Sequence, residues 1–294
     1  MVGGRRTLPR AGIGTLLYLL GDGCGSDYIG GMTRQPALFI GHGSPMTMIT
    51  ENVERRGMEE LGRRLTRPDA ILAVTAHWET RGETRLTSGT APHTIHDFRG
   101  FPQELYDMRY AAPGSPDLAR RAAELIGDDA VLDETHGFDH GVWGTLMPMF
   151  PDACIPVVAM SVDMTLNGEG HRQIGERLAP LRDENVLIVG SGNVIHNLML
   201  WRQTAGTEPD WAVDFRKRTN TALLERRDAA LTGFAPDDKA AQAAINSGEH
   251  YVPLLYPLGT RQTDDDVAVF NDTMDGALTM TSVIWGDAAL VEGL

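Results

Sequence analysis

Short apolar runs alternate with helical patterns along most of this chain. Nearly continuous apolar runs of this length are typical of strands buried on both faces of a sheet. The candidate strands lie at residues 37–41, 70–76, 155–162, 186–190, 266–270 and 279–285. Because helices connect strands that run parallel, the alternation predicts a single α/β domain with a central, mostly parallel or mixed sheet flanked by helices on both faces.

Helical periodicity accounts for the segments between the strands. Apolar residues at helical spacing over 58–65 predict a helix between the first two strands. Ser115 and Pro116 suit the N-cap and the first position of another helix, because a serine hydroxyl accepts a backbone N–H and proline has none to satisfy. A long helix is expected over residues 209–231.

The composition excludes two classes of partner. Of the 294 residues, 42% are hydrophobic and 22% are charged, as in ordinary globular domains. The formal net charge is −14, whereas a groove for nucleic acid or a surface for anionic membranes needs a concentrated positive patch. We therefore expect neither nucleic acid nor a membrane as a partner.

The first 32 residues differ from the rest of the sequence. Arg5 and Arg6 precede an apolar run at 16–20 that is too short to cross a bilayer and too short for a clear secretion signal. We expect residues 1–32 to be a poorly ordered extension and residues 33–294 to be the folded domain.

The two cysteines, Cys24 and Cys154, lie far apart in the sequence and form no C-x-x-C pair. Such a pattern favours free thiols in a reducing compartment. The predicted localisation is therefore cytoplasmic.

Four histidines follow or precede apolar runs: His42, His77, His196 and His250. One such histidine is more often a structural or exposed residue than a metal ligand. Four of them favour a shared site, because the carboxyl ends of parallel strands meet at one edge of a sheet. The sequence therefore predicts a metal site at this edge, since several imidazoles at strand ends can converge on one ion.

Residues beside these histidines indicate how the site is built. The glycine and proline that follow His42 predict a sharp turn that exposes its imidazole. Glu79 is a candidate to support His77 with its carboxylate. The G-S-G-N sequence at 190–193 predicts a tight turn after a strand, which brings backbone close to the site.

A second histidine group lies in the glycine-rich segment 135–144. The spacing of His136 and His140 would suit a zinc pair on a helix, but the glycines favour a loop. His140 beside an aspartate suits proton transfer or contact with oxygen. A structural hydrogen bond between Asp139 and His140 is the alternative.

Aromatic residues are concentrated in the segment 94–110. Its length and irregular pattern predict a loop over the site. Phe98, Phe101, Tyr106 and Tyr110 are candidates to hold a planar ligand, or to pack a satellite core beneath the loop.

Six short motifs occur in a fixed order. They are G-H-G-S-P at 41–45, A-H-W-E at 76–79, T-I-H-D-F-R-G-F-P at 94–102, G-F-D-H-G-V-W at 137–143, G-S-G-N-V-I-H-N at 190–197 and E-H-Y-V-P-L-L at 249–255. Together they resemble the class III extradiol ring-cleavage dioxygenases, most of all the 4,5-DOPA dioxygenase type.

The resemblance implies a role for each histidine. His42, His77 and His250 match the metal-binding positions of the family. His196 matches the histidine that acts as acid or base, and also as a fourth metal contact. His140 matches a histidine that handles substrate and oxygen.

The resemblance also implies the reaction. A small aromatic catechol and O2 would meet at one divalent metal ion. Fe(II) is expected for activity, and Zn(II) is expected to bind readily because it suits imidazole ligands and displaces ferrous iron. Many extradiol enzymes use two histidines and one carboxylate, whereas His250 stands at the third position here. A zinc-dependent hydrolase and a non-enzymatic binding relative remain alternatives.

Overall fold

A sheet of eight strands lies at the centre of residues 34–294, the part of the chain that the computed structural model describes. The expected extension at 1–32 lies outside the described residues. In chain order the strands of the described residues, including two that pair outside this sheet, are β1 (Ala37–Gly41), β2 (Ala70–Thr80), β3 (Thr84–Thr87), β4 (Ala130–Asp133), β5 (Val157–Asp163), β6 (Val186–Gly192), β7 (Asp266–Phe270), β8 (Met274–Asp275), β9 (Leu278–Thr279) and β10 (Ser282–Gly286).

The sheet has the order β4-β3-β5-β2-β6-β1-β10-β7, and β8 pairs separately with β9. Strands β5, β2, β6 and β1 run parallel to one another at its centre. β10 pairs antiparallel with β1 and β7, and β3 pairs antiparallel with β5. The predicted α/β domain with a mixed sheet is confirmed.

Helices cover both faces of the sheet. They are α1 (Val53–Arg64), α2 (Gln103–Asp107), α3 (Pro116–Ile126), α4 (His140–Met149), α5 (Gly168–Leu178), α6 (Pro180–Asp183), α7 (Leu198–Thr204), α8 (Asp210–Leu224), α9 (Ala229–Thr232), α10 (Lys239–Ile245) and α11 (Leu255–Gly259). Leu38 and Ile40 of β1 pack in a cluster with residues of α1 and α4. Ala37 and Phe39 alternate with them and pack in a cluster with residues of α8 and α10. Within the described residues, no helix has the length and apolar character that crossing a bilayer requires.

Several local predictions can be compared with these bounds. The Ser115 hydroxyl accepts the backbone N–H of Leu118 and Pro116 begins α3, so the predicted helix start is confirmed. The long helix predicted over 209–231 is confirmed in its start, at Asp210, but its predicted end is wrong. It ends at Leu224, and Arg226 has a φ of 57° that helical backbone does not allow.

Cys154 is half-buried and takes part in a disulfide bond. The expectation that its thiol is free is therefore wrong. Because that expectation was the basis for a reducing compartment, the cysteines no longer support one. The cytoplasmic localisation stays a prediction.

A buried arginine on α6 ties four parts of the chain together. The Arg182 side chain is 1% exposed and makes two hydrogen bonds of 2.6 and 2.8 Å to the carboxylate of Asp265. It also donates to the backbone carbonyls of Gln35, Thr260 and Trp285. These contacts join the segments that precede β1 and β7, the end of α11 and the end of β10.

Replacing Asp265 by asparagine should lower the free energy of unfolding by about 3–5 kcal/mol, because it leaves a buried guanidinium without its counter-charge. Asp264 is the matched control: its side chain is 67% exposed and pairs with Arg34. Asp264→Asn should cost less than about 1 kcal/mol. Chemical denaturation of both variants measures the difference, and equal losses would contradict the structural role of the buried pair.

Candidate metal centre

The structure brings together the five histidines that the sequence selected. His42 follows β1, and His77 lies near the end of β2. His140 begins α4, His196 lies beyond β6, and His250 lies in a turn before the 3-10 helix Val252–Leu254. The cluster therefore lies at the carboxyl edge of the central parallel strands, as predicted.

Three of the rings form a nearly equilateral triangle. The ring centroids of His42 and His77 are 5.0 Å apart, those of His77 and His250 are 5.0 Å apart, and those of His42 and His250 are 5.3 Å apart. The Nε2 atoms of His42 and His77 are separated by 3.1 Å. Two imidazoles that bind one ion at about 2.0–2.1 Å have nitrogens about 2.9–3.4 Å apart, so this spacing suits a shared ion.

The other two histidines flank this triangle. The ring centroid of His140 lies 4.0 Å from that of His77. His196 stacks on His250 with centroids 3.5 Å apart and planes inclined by 8°. Possible ligand atoms within 4.8 Å of one another occur in two sets, one of His42, His77 and His140 and one of His196, Glu249 and His250. His250 belongs to a different set from His42 and His77, although its ring centroid lies 5.3 Å from that of His42 and 5.0 Å from that of His77.

Oxygen atoms hold the Nδ1 sides of His42 and His250. The Ser191 hydroxyl lies 3.0 Å from Nδ1 of His42 and donates its proton to the carbonyl of Gly141 at 2.6 Å. Because that hydroxyl proton is already used, the hydroxyl accepts from Nδ1–H of His42. Glu249 Oε1 lies 2.9 Å from Nδ1 of His250. Both rings therefore keep a lone pair on Nε2, the form that binds metals.

Asp97 is a site residue that the sequence interpretation missed. Its Oδ2 atom lies 3.1 Å from Nδ1 of His77 and 2.8 Å from Nδ1 of His140. The support expected from Glu79 is therefore provided by Asp97, while Glu79 is exposed at the end of β2. The available signal was the acidic residue of H-D-F at 96–98, within the segment predicted to lie over the site.

The segment 135–144 differs from the predicted loop. Its second half is helical, because Asp139 caps α4 by accepting the backbone N–H of Val142. Asp139 also accepts the hydroxyl proton of Thr75 at 2.7 Å, whereas Nδ1 of His140 bonds to Asp97, so the alternative of an Asp139–His140 hydrogen bond is wrong. His136 stacks on Trp78 with ring centroids 3.7 Å apart and does not join the cluster.

The glycines of G-S-G-N lie inside β6 rather than in a turn, so the predicted turn is wrong. Because these glycines have no Cβ atoms, a neighbouring segment can pack closely against the strand. A Cβ atom on Gly192 would lie 2.1 Å from the carbonyl oxygen of His250, and one on Gly190 would lie 2.1 Å from that of Pro253. The absence of side chains therefore lets the segment that contains His250 pack directly on the strand.

Burial and neighbouring charges set the protonation of the cluster. Burial, followed by the nearby imidazoles, lowers the pKa of His42 well below its usual value. Burial likewise lowers the pKa of His250 to about 4 and that of His196 to about 3. Burial also opposes protonation of His77, but Asp97 and other carboxylates raise its pKa. Most of the cluster is thus neutral at pH 7, as metal ligands must be.

The aromatic segment packs mainly against the core. Phe98 and Tyr110 are buried members of the cluster on the α1 and α4 side, and Phe101 and Tyr106 pack against it. This agrees with the packing alternative, although Phe98 also contacts the site, with its ring centroid 5.7 Å from that of His140.

Comparison with known proteins adds independent findings. Residues 36–281 match the family described as the catalytic LigB subunit of aromatic ring-opening dioxygenase. The chain is 43% identical over 265 residues to the 4,5-DOPA dioxygenase extradiol of Escherichia coli (strain K12), covering 87% of this chain and 97% of that protein. It is 35% identical over 253 residues to the protein of the same name from Beta vulgaris, covering 82% and 92%.

A solved structure resembles the fold. The crystal structure of uncharacterized protein JW3007 from Escherichia coli K12 matches with a TM-score of 0.67 and 37% identity, covering 86% of this chain and 100% of that one. The family match over residues 36–281 includes all five histidines of the cluster.

Replacing Gly192 by alanine should destabilise the protein by about 1–3 kcal/mol, because the new methyl group collides with the backbone of His250. Gly144→Ala is the control, since a Cβ atom there meets nothing within 4 Å and the residue lies within α4. That change should leave stability equal or raise it by up to about 1 kcal/mol. Thermal unfolding distinguishes the two, and an unaffected Gly192→Ala protein would refute the close approach.

Proposed function

The chain belongs to the family of the catalytic LigB subunit of aromatic ring-opening dioxygenases and is a dioxygenase, and on that premise we propose that it cleaves a catechol outside its two hydroxyls, inserting both atoms of O2. The substrate class follows from the relatives, which are named for 4,5-DOPA. We therefore propose a DOPA-like catechol.

One observation supports a mononuclear metal site for this reaction. The Nδ1 atoms of His42, His77 and His250 all face oxygen partners. Each Nε2 atom then keeps a lone pair that can bind an ion. We propose that these three histidines hold one divalent ion, that Fe(II) serves turnover, and that Zn(II) binds in its place.

A bound ferrous ion would supply an acidic centre for the two catechol oxygens and a route for electrons between the ring and dioxygen. The protein's part is to position these reactants. The buried face of Phe98 beside His140 offers an apolar wall for an aromatic ring. The surrounding burial keeps bulk water from the reacting atoms.

His196 is placed to remove a proton from the catechol. Within residues 34–294 its ring has no hydrogen-bond partner, in contrast to the other four histidines of the cluster. Burial, followed by His250, lowers its pKa to about 3, so the ring is unprotonated before a substrate binds. The stacked ring of His250 fixes its plane beside the metal triangle. His196 is therefore the proposed base.

His140 presents a different arrangement. Its Nδ1–H donates to Asp97, so its Nε2 lone pair is directed away from that carboxylate. Burial lowers the pKa of His140, and the Asp97 carboxylate opposes that effect by stabilising the protonated ring. We propose that His140 contacts the substrate or oxygen, takes up the second hydroxyl proton of the catechol at Nε2 and returns that proton during ring opening.

Anaerobic loading with ferrous iron, followed by addition of a catechol and air, should give oxygen uptake and a yellow semialdehyde product. His42→Ala should lose bound metal and activity together. His196→Ala should keep the metal while kcat falls by about 10²–10⁴, because only the proton-accepting group is removed. Metal content and oxygen consumption measure the two effects.

The exposed His93 provides a control outside the cluster. His93→Ala should retain both metal and turnover. Ester or amide hydrolysis with zinc and no need for oxygen would instead indicate the hydrolase. Turnover of no catechol with any metal would overturn the proposed reaction.

A further inference from the structure

One carboxylate connects two histidines that have different proposed roles. We infer that Asp97 is a positioning residue that fixes the tautomer and direction of both His77 and His140, an inference that rests on the function proposed above for these two rings. Its Oδ2 atom lies 3.1 Å from Nδ1 of His77 and 2.8 Å from Nδ1 of His140. Its Oδ1 atom accepts the backbone N–H of His140 at 2.9 Å.

The carboxylate of Asp97 restricts which tautomer each of the two rings can adopt. An ionised carboxylate only accepts hydrogen bonds, so each ring must present an N–H to it. A neutral imidazole with its proton on Nδ1 has its lone pair on Nε2. Asp97 therefore directs the Nε2 lone pair of His77 toward His42, 3.1 Å away, and leaves that of His140 free.

The backbone on both sides of Asp97 is anchored. The N–H of Ile95 donates to the carbonyl of Phe138 at 2.7 Å, and the indole N–H of Trp143 donates to the carbonyl of Ile95 at 3.0 Å. On the other side, Phe98 is buried, 8% exposed, within the core cluster. The carboxylate is thus held in place before any ligand arrives, so no ordering of the loop is needed on binding.

A purely structural role for Asp97 does not explain why its carboxylate contacts both rings. Helix α4 already has its N-cap in Asp139, which accepts the N–H of Val142. The side chain of Asp97 is 21% exposed, so packing alone does not hold it against the rings. Its contacts to His77 and His140 account for its position.

Nitrogen-15 spectra of histidine-labelled, metal-free protein at pH 8 test the inference directly. In the wild type, His77 and His140, assigned by single substitutions, should both carry a proton on Nδ1. In Asp97→Asn the amide oxygen is expected to accept the backbone N–H of His140, which leaves the amide N–H2 facing both rings. A donor there favours the opposite tautomer. At least one ring should therefore change to Nε2–H.

Asp107→Asn is the matched control, because Asp107 lies on the same segment and its carboxylate is exposed and bonded to Gln103. This variant should show the wild-type tautomers. Asp97→Glu keeps an acceptor and should restore them at least in part. If Asp97→Asn leaves both rings as Nδ1–H, the inference is overturned.

Affinity for Co(II) alone, measured by chelator competition, separates this inference from the proposed function. Asp97→Asn should bind about 10–100-fold more weakly than Asp107→Asn, as is usual when a partner of a ligating histidine is lost. Equal Co(II) affinities of the two variants would contradict the positioning role of Asp97. A wild type that binds no metal would refute the proposed metal site, while the tautomers would still decide the role of Asp97.

Discussion

Hydrogen bonds to Nδ1 decide which way the imidazoles of this site face. The oxygens come from three separate parts of the fold: Ser191 lies on β6, Glu249 precedes His250 in the turn, and Asp97 lies in the aromatic segment. An imidazole can bind a metal through either nitrogen, so a histidine cluster alone does not define a coordination geometry. These oxygens remove that ambiguity, and the surrounding structure serves to hold them in place.

The sheet topology explains why Ser191 can reach its partners. β6 lies between β1 and β2, and Ser191 is in register with Ile40 on one side and with Thr75 on the other. Ser191 thus lies between β1, which His42 follows directly, and β2, which carries His77 near its end. The Ser191 hydroxyl donates its proton to the backbone carbonyl of Gly141 on α4. A single small side chain therefore connects the sheet, one ring and the helix that begins with His140.

The sequence predicted those parts of the site that depend on regular structure. Runs of buried strands can be recognised locally, and parallel strands must end at one edge, so the convergence of His42 and His77 followed from the pattern. The contact of Asp97 with two rings could not be predicted in this way, because it joins a loop to a strand end and a helix start. The glycines of β6 were misinterpreted for a similar reason. Turns and close backbone packing both favour glycine, and only the position of His250 distinguishes them.

The proposed metal triangle contains no carboxylate, but two carboxylates lie close behind it. Asp97 and Glu249 lie one hydrogen bond outside the imidazoles, and contacts with His140, His77 and His250 help to keep the pKa of each carboxyl below its usual value despite burial. A carboxylate ligand would neutralise part of the charge of a bound ion directly, whereas neutral imidazoles leave the ion more positive. A more positive ion acidifies a coordinated hydroxyl more strongly. His196 stacks on His250 beside this ligand set and is held unprotonated by burial, so it is placed to take the proton that a coordinated hydroxyl would release.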